Sequence, residues 1–178
     1  MVDTLKDIFD NVNSWLKFAE AKNATLVGGN GLIIFGILKI IGDKDIPQYW
    51  LFYIYFSLLL IAVSMIMALI TFMPKLKTPM FLLNDQIEKG DNLLFFGHIL
   101  KYNERVYLQK ISEATGKEND NNLNAMYAQQ IIINSKIAML KFSMFNIAIK
   151  FTIAGLVSPI LYFIIKEMFI EKDIRKKG

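Results

Sequence analysis

The densest run of side chains able to recognise a ligand lies between residues 92 and 107. Asn92, Phe95, Phe96, His98, Tyr102, Arg105 and Tyr107 all fall within it. Aromatic rings stack on a nucleobase, and an amide or imidazole can read its edge. Arginine grips a phosphate through a bidentate fork. The set is therefore a candidate nucleotide-binding site. A competing reading needs no ligand: Phe95, Phe96 and Tyr107 would close a small core. On residue chemistry alone, the core reading is preferred.

A second group of polar side chains sits inside apolar sequence. Ser57, Ser64, Ala68 and Thr71 recur at spacings of seven, four and three, which is one face of a helix. Thr152, Gly155, Pro159 and Tyr162 make a similar stripe, and Asn30 lies among Gly28, Gly29, Gly31 and Gly36. Small residues let membrane helices approach closely, and an amide in lipid seeks a partner. These positions are candidates for helix packing, with a wet pore-lining face as the alternative.

Catalysis finds no foothold. The chain has no cysteine, which excludes disulfides, thiolate metal sites and thiol nucleophiles, and a single histidine excludes multi-histidine metal sites. No glycine loop stands where it could cradle phosphate, and no carboxylate pair has acid–base spacing. His98 lies in an apolar run, where a hydrogen-bonded structural role is the simpler reading. We expect no enzyme activity, no metal and no cofactor.

The elements around these residues are helices, and lipid solvates several of them. Tyr49–Met73 is 25 residues without a charge, and a helix crosses a bilayer's hydrocarbon with roughly 20 apolar residues. Tyr49, Trp50, Tyr53 and Tyr55 crowd one end, where aromatic rings favour the headgroup zone. Pro74, Lys75 and Lys77 close the other. Leu26–Ile41 reads as a shorter first span, extended by its flanks or by snorkelling of Lys39. The polar turn GDKDIPQ joins the two. Residues 142–165 read as the third span, with Pro159 tolerated because neighbours can satisfy the carbonyl it frees.

Outside the spans, residues 3–22 show helical periodicity through Leu5, Ile8, Phe9, Val12, Trp15 and Leu16, with Asp3 as a plausible cap. Residues 74–141 form a water-facing helical block. Within it Asn103 should cap a helix from Glu104, and TGKENDNN should be a loop. A long helix starts at Leu123 and enters the third span without a breaker. The residues after 165 read as a charged, frayed tail. No alternating strand pattern occurs, so the expected class is all-α: three transmembrane helices and a small helical block in one domain.

Charge supplies an orientation. Three spans put residues 3–22 and 74–141 on the same side. The block holds nine Lys/Arg and the first helix three, which marks that side as cytoplasmic, although the basic tail argues the other way. The formal net charge of +4 is small and dispersed. It suits an anionic inner leaflet and gives no reason to expect a nucleic-acid polymer. MVDTLKDIFD lacks the pattern of a secretory signal.

Three stretches carry a resemblance. AEAKNATLVGGNGLI (19–33), NLLFFGHI with the tyrosine-bearing helix after it (92–107), and NSKIAMLKF leading into the last span are similar to the transmembrane effectors of Pycsar, a bacterial anti-phage system. The similarity follows the same order along nearly the whole chain, with Asn23 standing where a small residue is expected. It implies a multi-pass protein of the bacterial inner membrane. It further implies that a partner pyrimidine cyclase makes a cyclic nucleotide of the cyclic UMP or cyclic CMP class during infection, and that the effector then impairs the membrane, so that infection aborts. The chain has no room for a β-barrel cyclic-nucleotide domain, so direct binding would fall in the helical block, with homo-oligomers forming any pore. The alternative class is a non-gated scaffold or accessory membrane subunit. Cyclase-dependent dye leakage separates the two.

Overall fold

The computed structural model describes residues 1–43, 46–73, 86–118 and 122–177; the side chains of 43, 162, 163 and 165–177 are not among those described. The elements are α1 (Val2–Asp43), α2 (Gln48–Ile70), α3 (Phe96–Ile99), α4 (Glu104–Thr115) and α5 (Asn122–Lys177). No strand occurs among the described residues. Helices α1, α2 and α5 are each long and apolar enough to cross a bilayer. This is an all-α membrane protein.

The helix boundaries differ from the sequence reading at several places. The expected helix at 3–22 and the expected first span are one continuous helix, because nothing between Ala21 and Leu26 breaks it: AKNATL holds neither proline nor glycine. Helix α1 begins at Val2, so Asp3 lies in its first turn, where its charge favours the helix dipole, rather than at the cap. The expected frayed tail continues α5 through Lys177. Helix α2 ends at Ile70, three residues short of the expected span, and Pro74, Lys75 and Lys77 lie outside the described residues.

The chain folds as two compact units, and both α1 and α5 contribute to each. The first unit comprises Met1–Lys22 and Thr71–Ser143. Leu5, Ile8 and Val12 of α1 meet Tyr107, Leu108 and Ile111 of α4 and Ala128, Ile131 and Ile132 of α5 in one core. Helix α4 is held at both ends. The Asn103 side chain accepts the Val106 amide at 2.9 Å. Gly116 closes the helix at φ 66°, a left-handed conformation that a side chain would oppose, and its amide donates to Ser112 O. Residues 92–100 are mostly irregular. A single turn, α3, sinks Phe96 and Ile99 into the core.

The second unit comprises Asn23–Ile70 and Met144–Gly178. Its apolar contacts are few and small: Leu26, Ala68 and Ala148 are buried, with Val27, Met67, Phe145 and Ile149 against them. Large side chains such as Leu32, Phe35, Phe52 and Leu59 stay exposed. That is the inverse of a soluble bundle and the expected surface of helices solvated by lipid.

Candidate functional site

In the first unit, the loop before α3 is organised by Asp91. Its side chain is 2% exposed. Oδ2 accepts the Glu88 amide at 3.0 Å and the Tyr102 hydroxyl at 3.2 Å. Oδ1 accepts from Lys101 Nζ at 3.0 Å, and His98 Nδ1 lies 3.7 Å away. Burial pushes the carboxyl's pKa up, but the Glu88 amide, the Lys101 ammonium and the Tyr102 hydroxyl outweigh it and hold it below the ordinary aspartate value. Burial and the Asp91 charge push the Tyr102 phenol up.

His98 is set by the same loop. Its Nδ1 accepts the Asn92 amide at 2.8 Å, which leaves the ring proton on Nε2 when the imidazole is neutral. Asn92 Oδ1 accepts the Leu94 amide at 2.8 Å, a local turn bond. Tyr107 donates its hydroxyl to Leu93 O at 2.8 Å, and Asn11 of α1 donates to Leu94 O. Burial and then the neighbouring Tyr102 push the Tyr107 phenol far up, so it stays a neutral donor.

The seven expected ligand-binding residues therefore divide. Phe96, Tyr102 and Tyr107 are buried and hold the loop. Asn92, Phe95 and Arg105 are exposed and His98 is half-exposed. Phe95 lies at 4.7 Å from the Phe96 ring and edge-on to His98 at 5.3 Å. A methyl on Gly97 would come within 2.5 Å of Phe95 Cε1, so the bare glycine makes room for that ring. Phe96 in turn stacks on Phe142 and meets Trp15.

Sequence reasoning missed three partners of this aromatic group: Trp15, Phe18 and Phe142. Trp15 and Phe18 remain partly exposed, and Lys22 sits over the Phe18 ring at 5.0 Å. The i,i+3 spacing of Trp15 and Phe18 was a visible signal. Their meeting with Phe142 was not, because it joins opposite ends of the chain. Asp91 was missed too, since in sequence it was one residue of a turn-forming run.

In the second unit, one residue from each polar stripe joins Asn30 in a closed ring. Asn30 Nδ2 donates to Ser64 Oγ at 3.0 Å, and Thr152 Oγ1 donates to Asn30 Oδ1 at 3.0 Å. Ser64 and Thr152 lie 2.8 Å apart; since the Thr152 proton is committed to Asn30, Ser64 is the donor. Each long helix contributes one member, and all three are at most 5% exposed. The hydroxyl protons of Ser64 and Thr152 and one amide proton of Asn30 all go to acceptors within the ring, which is how polar groups are satisfied in hydrocarbon.

A second device stands beside it. Pro159 lies inside α5 and has no amide to give the carbonyl of Gly155. The Ser57 hydroxyl of α2 donates to that carbonyl, and Ser158 adds a longer bond at 3.3 Å. Gly155 is also the close approach: an added Cβ would lie 2.8 Å from Ile61 Cγ1 and 3.1 Å from Ser57 O. Gly28, Gly29, Gly31 and Gly36 of α1, expected at packing contacts, would meet nothing within 4 Å. Ser57, Ser64, Thr152 and Gly155 are buried and hydrogen-bonded within one chain. Thr71 is buried just beyond α2, while the side chain of Tyr162 is outside those described.

No group of three or more metal-ligating residues occurs among the described residues. The chain matches the Pycsar effector protein domain across residues 4–166, through both units. It belongs to that family. The Pycsar effector family places it among anti-phage defence effectors that act in a membrane. No curated protein and no solved structure matches it.

Proposed function

We propose that this Pycsar effector responds to a cyclic pyrimidine nucleotide from a partner cyclase and impairs the bacterial inner membrane, aborting infection. The observation that carries the reading is the family match spanning both the helical unit and the membrane unit. The ligand site is the exposed edge of the loop around α3. Phe95 offers a ring face, His98 and Asn92 offer polar edges, and Arg105 offers a phosphate fork. Phe96, Tyr102 and Tyr107 support it from below. The first unit faces the cytoplasm, where the nucleotide is made.

The spans of one chain have committed their buried polar groups to each other, so a permeable state needs several copies. The open glycines of α1 offer small surfaces for that assembly. Helices α1 and α5 pass from one unit into the other and supply the covalent route for a signal.

The test is dye leakage from cells that express the chain with and without its cyclase. Leakage should depend on the cyclase, and Phe95→Ala together with Arg105→Gln should abolish it while the protein remains in the membrane. Undiminished leakage in that variant removes the site. Absence of leakage under all conditions favours a passive accessory subunit.

A further inference from the structure

The membrane unit carries an open groove of about 500 Å³ on α2 and α5. Phe56, Leu60, Ala154, Val157 and Leu161 give it apolar walls, and Lys150 stands among its lining residues. The polar ring takes no residue from this surface, and the Pro159 contact shares only Ser158 with it. A lysine on a membrane-spanning helix is costly unless its ammonium reaches an anion or the interface.

The depth of Lys150 follows from the polar ring. Ser64 and Thr152 touch, so they lie at one level. Helix α2 ends at Ile70, and at 1.5 Å per residue that end is roughly 9 Å beyond Ser64. Lys150 precedes Thr152 by two residues on the antiparallel helix, so its Cα lies roughly 6 Å inside that end. A lysine stem spans such a distance and delivers its charge to headgroup level. From Lys150 to Leu161 the groove follows α5 for about 16 Å, close to the half-thickness of a hydrocarbon core of about 30 Å.

The charges of the chain select the occupant. Residues 23–42, 48–70 and 144–161 contain no Asp or Glu. The spans of a second copy laid over the groove would therefore shut Lys150 away from any carboxylate. A lipid phosphate is the anion that a membrane supplies at that depth. We infer that the groove holds one acyl chain of an anionic phospholipid, with the phosphate on the Lys150 ammonium.

The experiment uses full-length protein reconstituted in phosphatidylcholine vesicles, with spin-labelled phosphatidylglycerol or spin-labelled phosphatidylcholine as probe and no nucleotide present. The motionally restricted fraction should favour phosphatidylglycerol by about fivefold, the weight of one lysine at an anionic surface. Lys150→Gln should remove most of that preference, and Lys150→Arg should retain it. Val157→Trp should expel the restricted lipid of either kind. Equal preference in wild type and Lys150→Gln would overturn the assignment. The chain lacks cysteine, so Val157→Cys introduces a single thiol. Disulfide-linked dimers of that variant would place a second copy in the groove and also overturn it, whereas its persistence as monomer in oxidising vesicles supports the lipid. Nucleotide-dependent leakage has no part in either readout, so failure here leaves the proposed function standing.

Discussion

The two units solve the same problem, a buried polar centre, in opposite ways. In the first unit the centre is an ion pair: Asp91 against Lys101, with Tyr102, His98 and a backbone amide around it. In the membrane unit it is a neutral ring of an amide and two hydroxyls. Water explains the contrast. Near water, a charge retains part of its solvation and strengthens each hydrogen bond it accepts. In hydrocarbon an ion is too expensive, and neutral groups that donate to one another in a ring are the cheaper form of polarity. Stability in the first centre therefore depends on pH, whereas the second has nothing to titrate.

Breaking the charged centre should have the largest effect. Asp91→Ala leaves the Lys101 ammonium without its carboxylate and should cost about 3 kcal/mol, the low end for breaking a buried pair because Lys101 keeps a tenth of its side chain in water. Thermal unfolding in detergent, read by near-ultraviolet circular dichroism, measures it. Acid makes the same break chemically. The folded pKa of Asp91 is depressed, so its contribution is complete above the ordinary aspartate value of about 3.9 and fades as pH falls through the lower folded value. Asp91→Asn should flatten that limb of the stability profile. A profile unchanged by Asp91→Asn would show that the centre is not the charged one of the pair.

The membrane unit should respond less. Gly155→Ala forces a methyl against Ile61 and the Ser57 carbonyl and should cost about 1–3 kcal/mol, the usual penalty for overpacking. Gly28→Ala, facing open space, serves as its control and should not destabilise. Asn30→Val deletes two bonds of the ring and should cost about 1–2 kcal/mol, since interhelical hydrogen bonds in membranes average about 0.6 kcal/mol. Adding Ser64→Ala and Thr152→Val should cost less than the sum of the single changes, because the three groups satisfy one another. Both variants should show the same loss at about pH 3 as at about pH 7, on either side of the ordinary aspartate value. A pH-dependent loss would dissolve the contrast between the units.

Local sequence carried much of this architecture. A charge-free run of 25 residues can only be a span, Asn103 before an amphipathic stretch can be read as a cap, and Pro159 in lipid demands a donor from a neighbour. These are properties of a residue and its near neighbours, and they persist whatever the rest of the chain does. Helix length was less legible, since an amphipathic segment and an apolar segment joined without a breaker look like two elements.

Tertiary structure decided which polar residues meet. Asn30, Ser64 and Thr152 are 34 and 88 positions apart, and no periodicity links them. The identity of the donor to Gly155 depends on how helices turn about their axes, and the capture of Lys101 by Asp91 depends on how the loop around α3 folds back, neither of which side-chain spacing determines. The same is true of Phe96, whose burial against Trp15 and Phe142 separates it from the exposed Phe95 beside it. Composition fixes which solvent each helix prefers, because transfer free energies are nearly additive along the chain. Hydrogen bonds are short and directional, so their partners are settled only when the helices are packed.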